Sequence, residues 1–151
     1  MKTLARAADL ADIIRRLRTV RPEAAAKWGR MSAHQMVCHL ADSMRMALNQ
    51  KTTSTATGPL RRTLIKWIAL YVPAPWPAGI QTRPEIDQED GGTRPLNFGS
   101  DMETLESLLR SLTDEQLPAC ATHPIFGPMS RPAWLRWAYL HADHHLRQFG
   151  A

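Results

Sequence analysis

The segment His141-Ala142-Asp143-His144-His145 carries the densest chemistry in the chain. Residues four apart on a helix lie one above the other, so His141 and His145 project in nearly the same direction. The surrounding positions set that direction. Arg136, Asp143 and Arg147 fall on one side, the expected wet side; Trp134, Trp137, Ala138, His141, His145 and Phe149 fall on the other. Both imidazoles are therefore predicted on the apolar stripe, with His144 at its margin. One buried neutral ring is satisfied by one donor and one acceptor partner, but two such rings one turn apart are harder to satisfy, and two protonated rings would repel. A divalent metal ion resolves the problem by taking one nitrogen from each, and an i,i+4 histidine pair is an efficient way to present two ligands from one helix.

Two ligands hold a metal weakly, so a third is expected. The segment Met31 to Asp42 offers His34 and His39. His34 groups with the polar positions Cys38, Asp42 and Arg45, whereas His39 lies at the edge of an apolar face beside Met36, Ser43 and Met46. That makes His39 the better choice. His123, in His123-Pro124-Ile125-Phe126-Gly127, would reach the site only if its loop folds back. Asp42 is the nearest acidic rival, and its expected position on the wet side counts against it. Cys38 is read as a surface or boundary thiol pointing away from His39, and Cys120 as a loop residue. Two cysteines are too few for a disulfide framework.

The elements that must position these residues are helical. Leu10, Ile13, Ile14 and Leu17 recur at helical spacing within Leu4 to Thr19. A second helix starts at Ser32, which forms a capping box with Gln35, and it ends before the polar Thr52 to Gly58 run. A third starts at Ser100, paired with Glu103 in the same way, with Met102, Leu105, Leu108, Leu109 and Leu112 as its stripe. The fourth runs from the N-cap Ser130 to Phe149 and stops at Gly150. A shorter basic amphipathic helix, Leu60 to Tyr71, is expected to pack its face of Leu60, Leu64, Trp67, Ile68 and Tyr71 on the same domain. Pro73 to Pro95 is a long Pro-rich crossover, the kind of loop that serves as a lid or packs on itself. Strand signals are weak throughout. The predicted architecture is all-α: one four-helix bundle domain over residues 1–151 with an extra short helix.

Composition narrows the function classes. With 151 residues, 44% of them hydrophobic and 22% charged, the chain suits one globular domain. The net charge is +5, but its lysines and arginines are scattered rather than interleaved with aromatics, so no nucleic-acid partner is expected. The longest purely apolar run, Trp67 to Val72, is far short of the ~18 residues a membrane span needs. Met1 to Arg16 contains no continuous apolar region of the secretory type, and a cytoplasmic location with no membrane partner is expected. Large apolar groups at Trp67, Tyr71 and Trp76 suggest a homodimer.

These motifs together resemble the DinB/YfiT-like proteins. Met31-Ser32-Ala33-His34-Gln35-Met36-Val37-Cys38-His39-Leu40-Ala41-Asp42 resembles the start of their second helix. His123 to Gly127, Trp134 and His141-Ala142-Asp143-His144-His145-Leu146-Arg147-Gln148-Phe149 resemble the close of a branch known chiefly as domains of unknown function. The resemblance covers nearly the whole chain. It implies an up-down-down-up bundle and a three-histidine site for a divalent metal, nickel or zinc, with water in the open positions; by motif the ligands are His39, His141 and His145. It also implies activation of a low-molecular-weight thiol or of water, as in thiol S-transferases or hydrolases. The alternative is a non-catalytic bundle with a structural metal or none. Within the sequence no general base stands out among His34, His123 and His144.

Overall fold

The computed structural model describes residues 1–55, 59–114 and 122–151, with backbone alone for 59–63. The fold is all-α. Its helices are α1 (Ala7–Leu17), α2 (Ala33–Ala47), α3 (Pro59–Tyr71), α4 (Phe98–Ser111) and α5 (Arg131–Gln148). A single 3-10 turn, Pro84–Ile86, lies in the Pro-rich crossover. Cys120 and the side chains of Leu60, Arg61 and Arg62 lie outside the described residues.

Four helices form a closed ring in which α1 packs on α5, α5 on α2, α2 on α4 and α4 back on α1; α3 lies against α5. The core they enclose includes Ile13 and Leu17, Met36, Leu40 and Met44, Leu105 and Leu109, and Trp134 and Leu135, all almost fully removed from water. These are the stripes that the 3.6-residue period marks out.

Local signals explain several helix ends. Ser32 and Gln35 form the full capping box of α2, and the Ser130 hydroxyl accepts from Ala133 N at the start of α5. Asn49, in the left-handed region at φ 61°, turns the chain out of α2 before the polar run is reached. At α4 the observed start differs from the expected one. The helix begins two residues earlier, and the Asn97 side chain accepts from Ser100 N at 3.0 Å. Asparagine caps as well as serine does, and Asp101, in the first turn, is drawn instead to His34 and Leu96 N.

Three further expectations change. A two-residue antiparallel hairpin, β1 (Thr122–His123) with β2 (Gly127–Pro128), precedes α5; strands this short leave no alternation to read. The described side chains of the face of α3 expected to pack inward do not: Leu64 and Trp67 are 63% and 58% exposed, and Ile68 and Tyr71 are exposed too, while Leu70, outside that face, is the one buried in the core. Trp76 is half-buried, its indole N–H donating to Ala69 O at 2.8 Å, so the self-association expected of this region would rest on α3.

The third change concerns α5, which has no wet side along most of its length. Asp143 is buried and paired with Arg16 of α1 at 2.7 Å and with Arg147. Arg136 is spent on the Lys2 and Leu70 carbonyls. Leu135, Tyr139, Ala142 and Leu146 are buried as well. Of the three charges that marked a solvent face in sequence, Asp143 binds α1 and Arg136 binds the N-terminal segment and α3, while Arg147 is exposed as expected. Among the described residues no helix is long and apolar enough to cross a membrane.

The capping assignment at α4 is testable. Asn97→Ala is expected to lower unfolding stability by about 1 kcal/mol, whereas Ser100→Ala should change it by less than about 0.5 kcal/mol. Urea unfolding of both variants measures this, and the reverse ranking would contradict the observed cap.

Candidate metal centre

The three histidines singled out by spacing meet at one point. His141 Nε2 lies 3.2 Å from His39 Nε2 and 3.2 Å from His145 Nε2. All three rings are buried. His141 and His145 stand one turn apart on α5, and His39 reaches them from α2.

Hydrogen-bond partners determine which nitrogen of each ring carries the proton. His39 Nδ1 lies 2.8 Å from the Ile86 carbonyl, which can only accept, so Nδ1 donates and Nε2 keeps its lone pair. His145 Nδ1 lies 2.8 Å from Gln148 Oε1. The Gln148 amide is oriented by its own Nε2, which donates to Trp28 O at 2.7 Å. His145 Nδ1 therefore donates, and its Nε2 is bare as well. Two lone pairs thus point at His141 Nε2.

His141 cannot satisfy this arrangement. If its proton sits on Nε2, one proton faces two lone pairs and the buried Nδ1, which has no partner among the described residues, is an orphaned acceptor. If the proton sits on Nδ1, that atom is an orphaned donor and three lone pairs converge. Charging a ring is no remedy. Burial, followed by the neighbouring imidazoles, holds His141 well below the ordinary histidine range, and burial does the same for His145 and, to a lesser extent, His39. The unmet requirement is a cation that accepts three nitrogen lone pairs. Ligands on a tetrahedral ion with metal–nitrogen bonds of about 2.0–2.1 Å lie about 3.3 Å apart, close to the two 3.2 Å separations. The residues fit a divalent metal.

The partners that orient the rings depend in turn on the crossover. Its turn is closed by Gly91 N donating to Pro84 O and Gly92 N donating to Asp87 O, at 2.9 and 2.7 Å. A Cβ at Gly92 would sit 2.6 Å from Asp87 O, so the turn requires glycine there. Asp42 anchors it to α2. Its carboxylate accepts from Thr93 N and Thr93 Oγ1, both at 2.7 Å, and from Gln88 Nε2, and it pairs with Lys51 and Arg45. Burial alone would raise Asp42, but the Lys51 and Thr93 donors outweigh it and hold the carboxyl below its ordinary value. Asp42 is thus fully buried rather than on a wet face. Its charge is retained because the loop and two cations neutralise it, not because water does.

His123 Nδ1 accepts from Ile125 N and Phe126 N at 3.1 and 3.2 Å, within the turn of the hairpin, and its ring stacks on Phe126. Its loop does fold back, and the ring lines the cavity beside the triad, but Nδ1 is committed to the backbone. His144 is half-buried, with Trp28 and Trp76 rings 5.6 and 6.2 Å away. His34 and Cys38 face Asp101 of α4, away from the triad, and Cys38 is buried rather than at the surface. Gln148, three residues after His145, was within reach of helical spacing; Ile86 O and Asp42 gave no such signal.

The triad forms the floor of an open cavity of about 840 Å³. Its walls include Ile65, Ile68, Trp76, Ile80, Phe126 and Trp137.

Residues 2–151 match the family described as "Protein of unknown function (DUF1569)". The chain belongs to this family. Comparison with curated proteins and with solved structures gives no match. In this DUF1569 protein, therefore, the site's own chemistry has to carry the functional argument.

The buried His123 makes an acid-stability prediction. Burial pushes it down to about 3 from an ordinary value of about 6.5. The unfolded chain then binds a proton that the native state refuses, so stability falls as pH drops from about 6.5 towards 3, by up to about 1.4 kcal/mol per unit. His123→Asn, whose carbonyl oxygen can accept in place of Nδ1, is expected to flatten that dependence in denaturant titrations between pH 6.5 and 4. An unchanged slope would contradict it.

Proposed function

We propose that this DUF1569 protein is a metal-dependent enzyme of DinB/YfiT-like type that activates a thiol or a water molecule for S-transfer or hydrolysis. The observation that carries the reading is the convergence of the His39, His141 and His145 Nε2 atoms, which no assignment of protons satisfies, at the floor of a large open cavity. Nickel or zinc bound there would favour the anion of a thiol or water in its open position.

The chain's own residues have separable roles in this reading. His39, His141 and His145 are the ligands; the Ile86 carbonyl and Gln148 hold two of them in the required tautomer. Outer-shell partners of this kind typically change metal affinity by about 10- to 100-fold. Trp76 and Trp137, whose rings lie 6.0 and 4.8 Å from that of His141, shield the centre from bulk water. With His123 Nδ1 engaged by backbone, His144 is the remaining imidazole on the cavity wall and the best-placed proton acceptor. Apolar walls of this size suit a small molecule with an apolar body and one metal-seeking group. A structural metal in a non-catalytic bundle is the second reading. It is favoured by Asp42, the nearest buried acid, being wholly occupied by its loop and ion-pair partners.

Protein purified without added metal is expected to contain nickel or zinc, and His141→Ala or His145→Ala should remove one equivalent per chain, whereas His144→Ala should not. Equal metal content in His141→Ala and wild type would refute the site. In cobalt-loaded protein, a small thiol should shift the visible spectrum of the triad-bound ion. No shift with any of several thiols, at unchanged metal content, would exclude thiol transfer and leave hydrolysis or a structural role.

A further inference from the structure

A second cluster of ligand atoms lies on the face of α2 that is turned towards α4. His34 Nε2, Cys38 Sγ and an Asp101 carboxylate oxygen all lie within 4.8 Å of one another. His34 and Cys38 are one turn apart on α2, and Asp101 is in the first turn of α4. We propose that His34, Cys38 and Asp101 form a second metal site, separate from the triad, for a thiolate-seeking divalent ion such as zinc or cobalt, which would tie the N-terminal turns of α2 and α4 together.

The geometry of the three side chains supports this. One oxygen, Asp101 Oδ2, receives three donors: His34 Nε2 at 2.7 Å, Leu96 N at 3.2 Å and Cys38 Sγ at 3.7 Å. Protons on the imidazole and the thiol occupy the space between the three side chains. A single ion would displace the thiol proton to solvent and leave the ring proton of His34 on Nδ1, so that the Cys38 thiolate, the neutral imidazole through Nε2 and the carboxylate are the ligands, with Leu96 N still orienting the carboxylate. For metal–sulfur bonds of about 2.3 Å and metal–oxygen bonds of about 2.1 Å, a tetrahedral ion separates sulfur from oxygen by about 3.6 Å, near the 3.7 Å observed. The imidazole–carboxylate distance must open from 2.7 Å to about 3.4 Å. His34, the second residue of α2 and 21% exposed, can make that adjustment by side-chain rotation alone. Asp101 is 22% exposed, so a water molecule can complete the shell from the solvent side.

The same residues are badly arranged for nucleophilic catalysis. The thiol contacts the carboxylate rather than the imidazole, and burial together with Asp101 pushes it up to about 12. A nearby divalent charge reverses that preference, because a coordinated thiol gives up its proton.

Cobalt titration of the metal-free full chain tests the site apart from the triad. Wild type should take up two equivalents, one of them producing a near-ultraviolet sulfur-to-cobalt charge-transfer band, which a site of three histidines cannot give. Cys38→Ser should lose the band and one equivalent. His34→Gln, which keeps the thiol, should weaken that equivalent by more than about 100-fold, since even outer-shell partners are worth about 10- to 100-fold. His141→Ala should keep the band while losing the other equivalent. The proposal is overturned if wild type shows no charge-transfer band, if the band survives Cys38→Ser, or if it is lost in Cys120→Ser instead. A band without binding at the triad would uphold this site and refute only the function proposed above.

Discussion

A proton shortage at three buried imidazoles governs this structure. The Ile86 carbonyl and the Gln148 amide each claim an Nδ1–H, so the Nε2 atoms of His39 and His145 arrive at His141 as lone pairs. His141 has a single proton to offer if neutral, and burial keeps it neutral. Buried polar groups without partners are expensive, and an ion that accepts lone pairs is what the three nitrogens could hold. The cavity above the three rings, and the crossover that covers one side of them, are intelligible as devices for admitting a small ligand to such a centre.

Much of the remaining architecture keeps those acceptors in place. Ile86 O is presented by a turn that needs glycine at position 92 and is pinned to α2 by Asp42. Gln148 is held at the other end by the Trp28 carbonyl, and Lys27 N donates to Gln148 O in the same strap. α5 bears the heaviest load: it supplies two of the three imidazoles and Gln148, and it is the helix against which α1, α2 and α3 all pack. Its burial on the side away from the histidines, through Asp143 and Arg16, is what holds the ring-bearing side rigidly towards α2.

The parts legible in sequence are those with a local period. The amphipathic stripes gave the four main helices, and the i,i+4 spacing of His141 and His145 placed both rings on the face they occupy. Position around α2 separates His39 from His34, and the two face different neighbours, the triad and Asp101 of α4. The misread residues are charged or thiol side chains whose partners are distant in the chain. Asp42 and Asp143 looked solvated because carboxylates usually are, yet their neutralising partners come from Thr93 and Lys51, and from Arg16. Cys38 looked like a surface thiol because its neighbour across the helix interface, Asp101, is 63 residues away. Nothing periodic announces such pairs. Asn97 lost to Ser100 as a cap in sequence because serine with a glutamate three residues on is the stronger local pattern, and the competing demand on Asp101 was invisible.

The protonation pattern of the triad is read directly by nitrogen-15 NMR of the histidine rings in metal-free protein at neutral pH. His39 and His145 are expected as neutral rings protonated at Nδ1, with unprotonated Nε2 signals that move on addition of one equivalent of zinc, joined by that of His141. An Nε2-protonated or charged His39 or His145, or Nε2 signals indifferent to zinc, would contradict it.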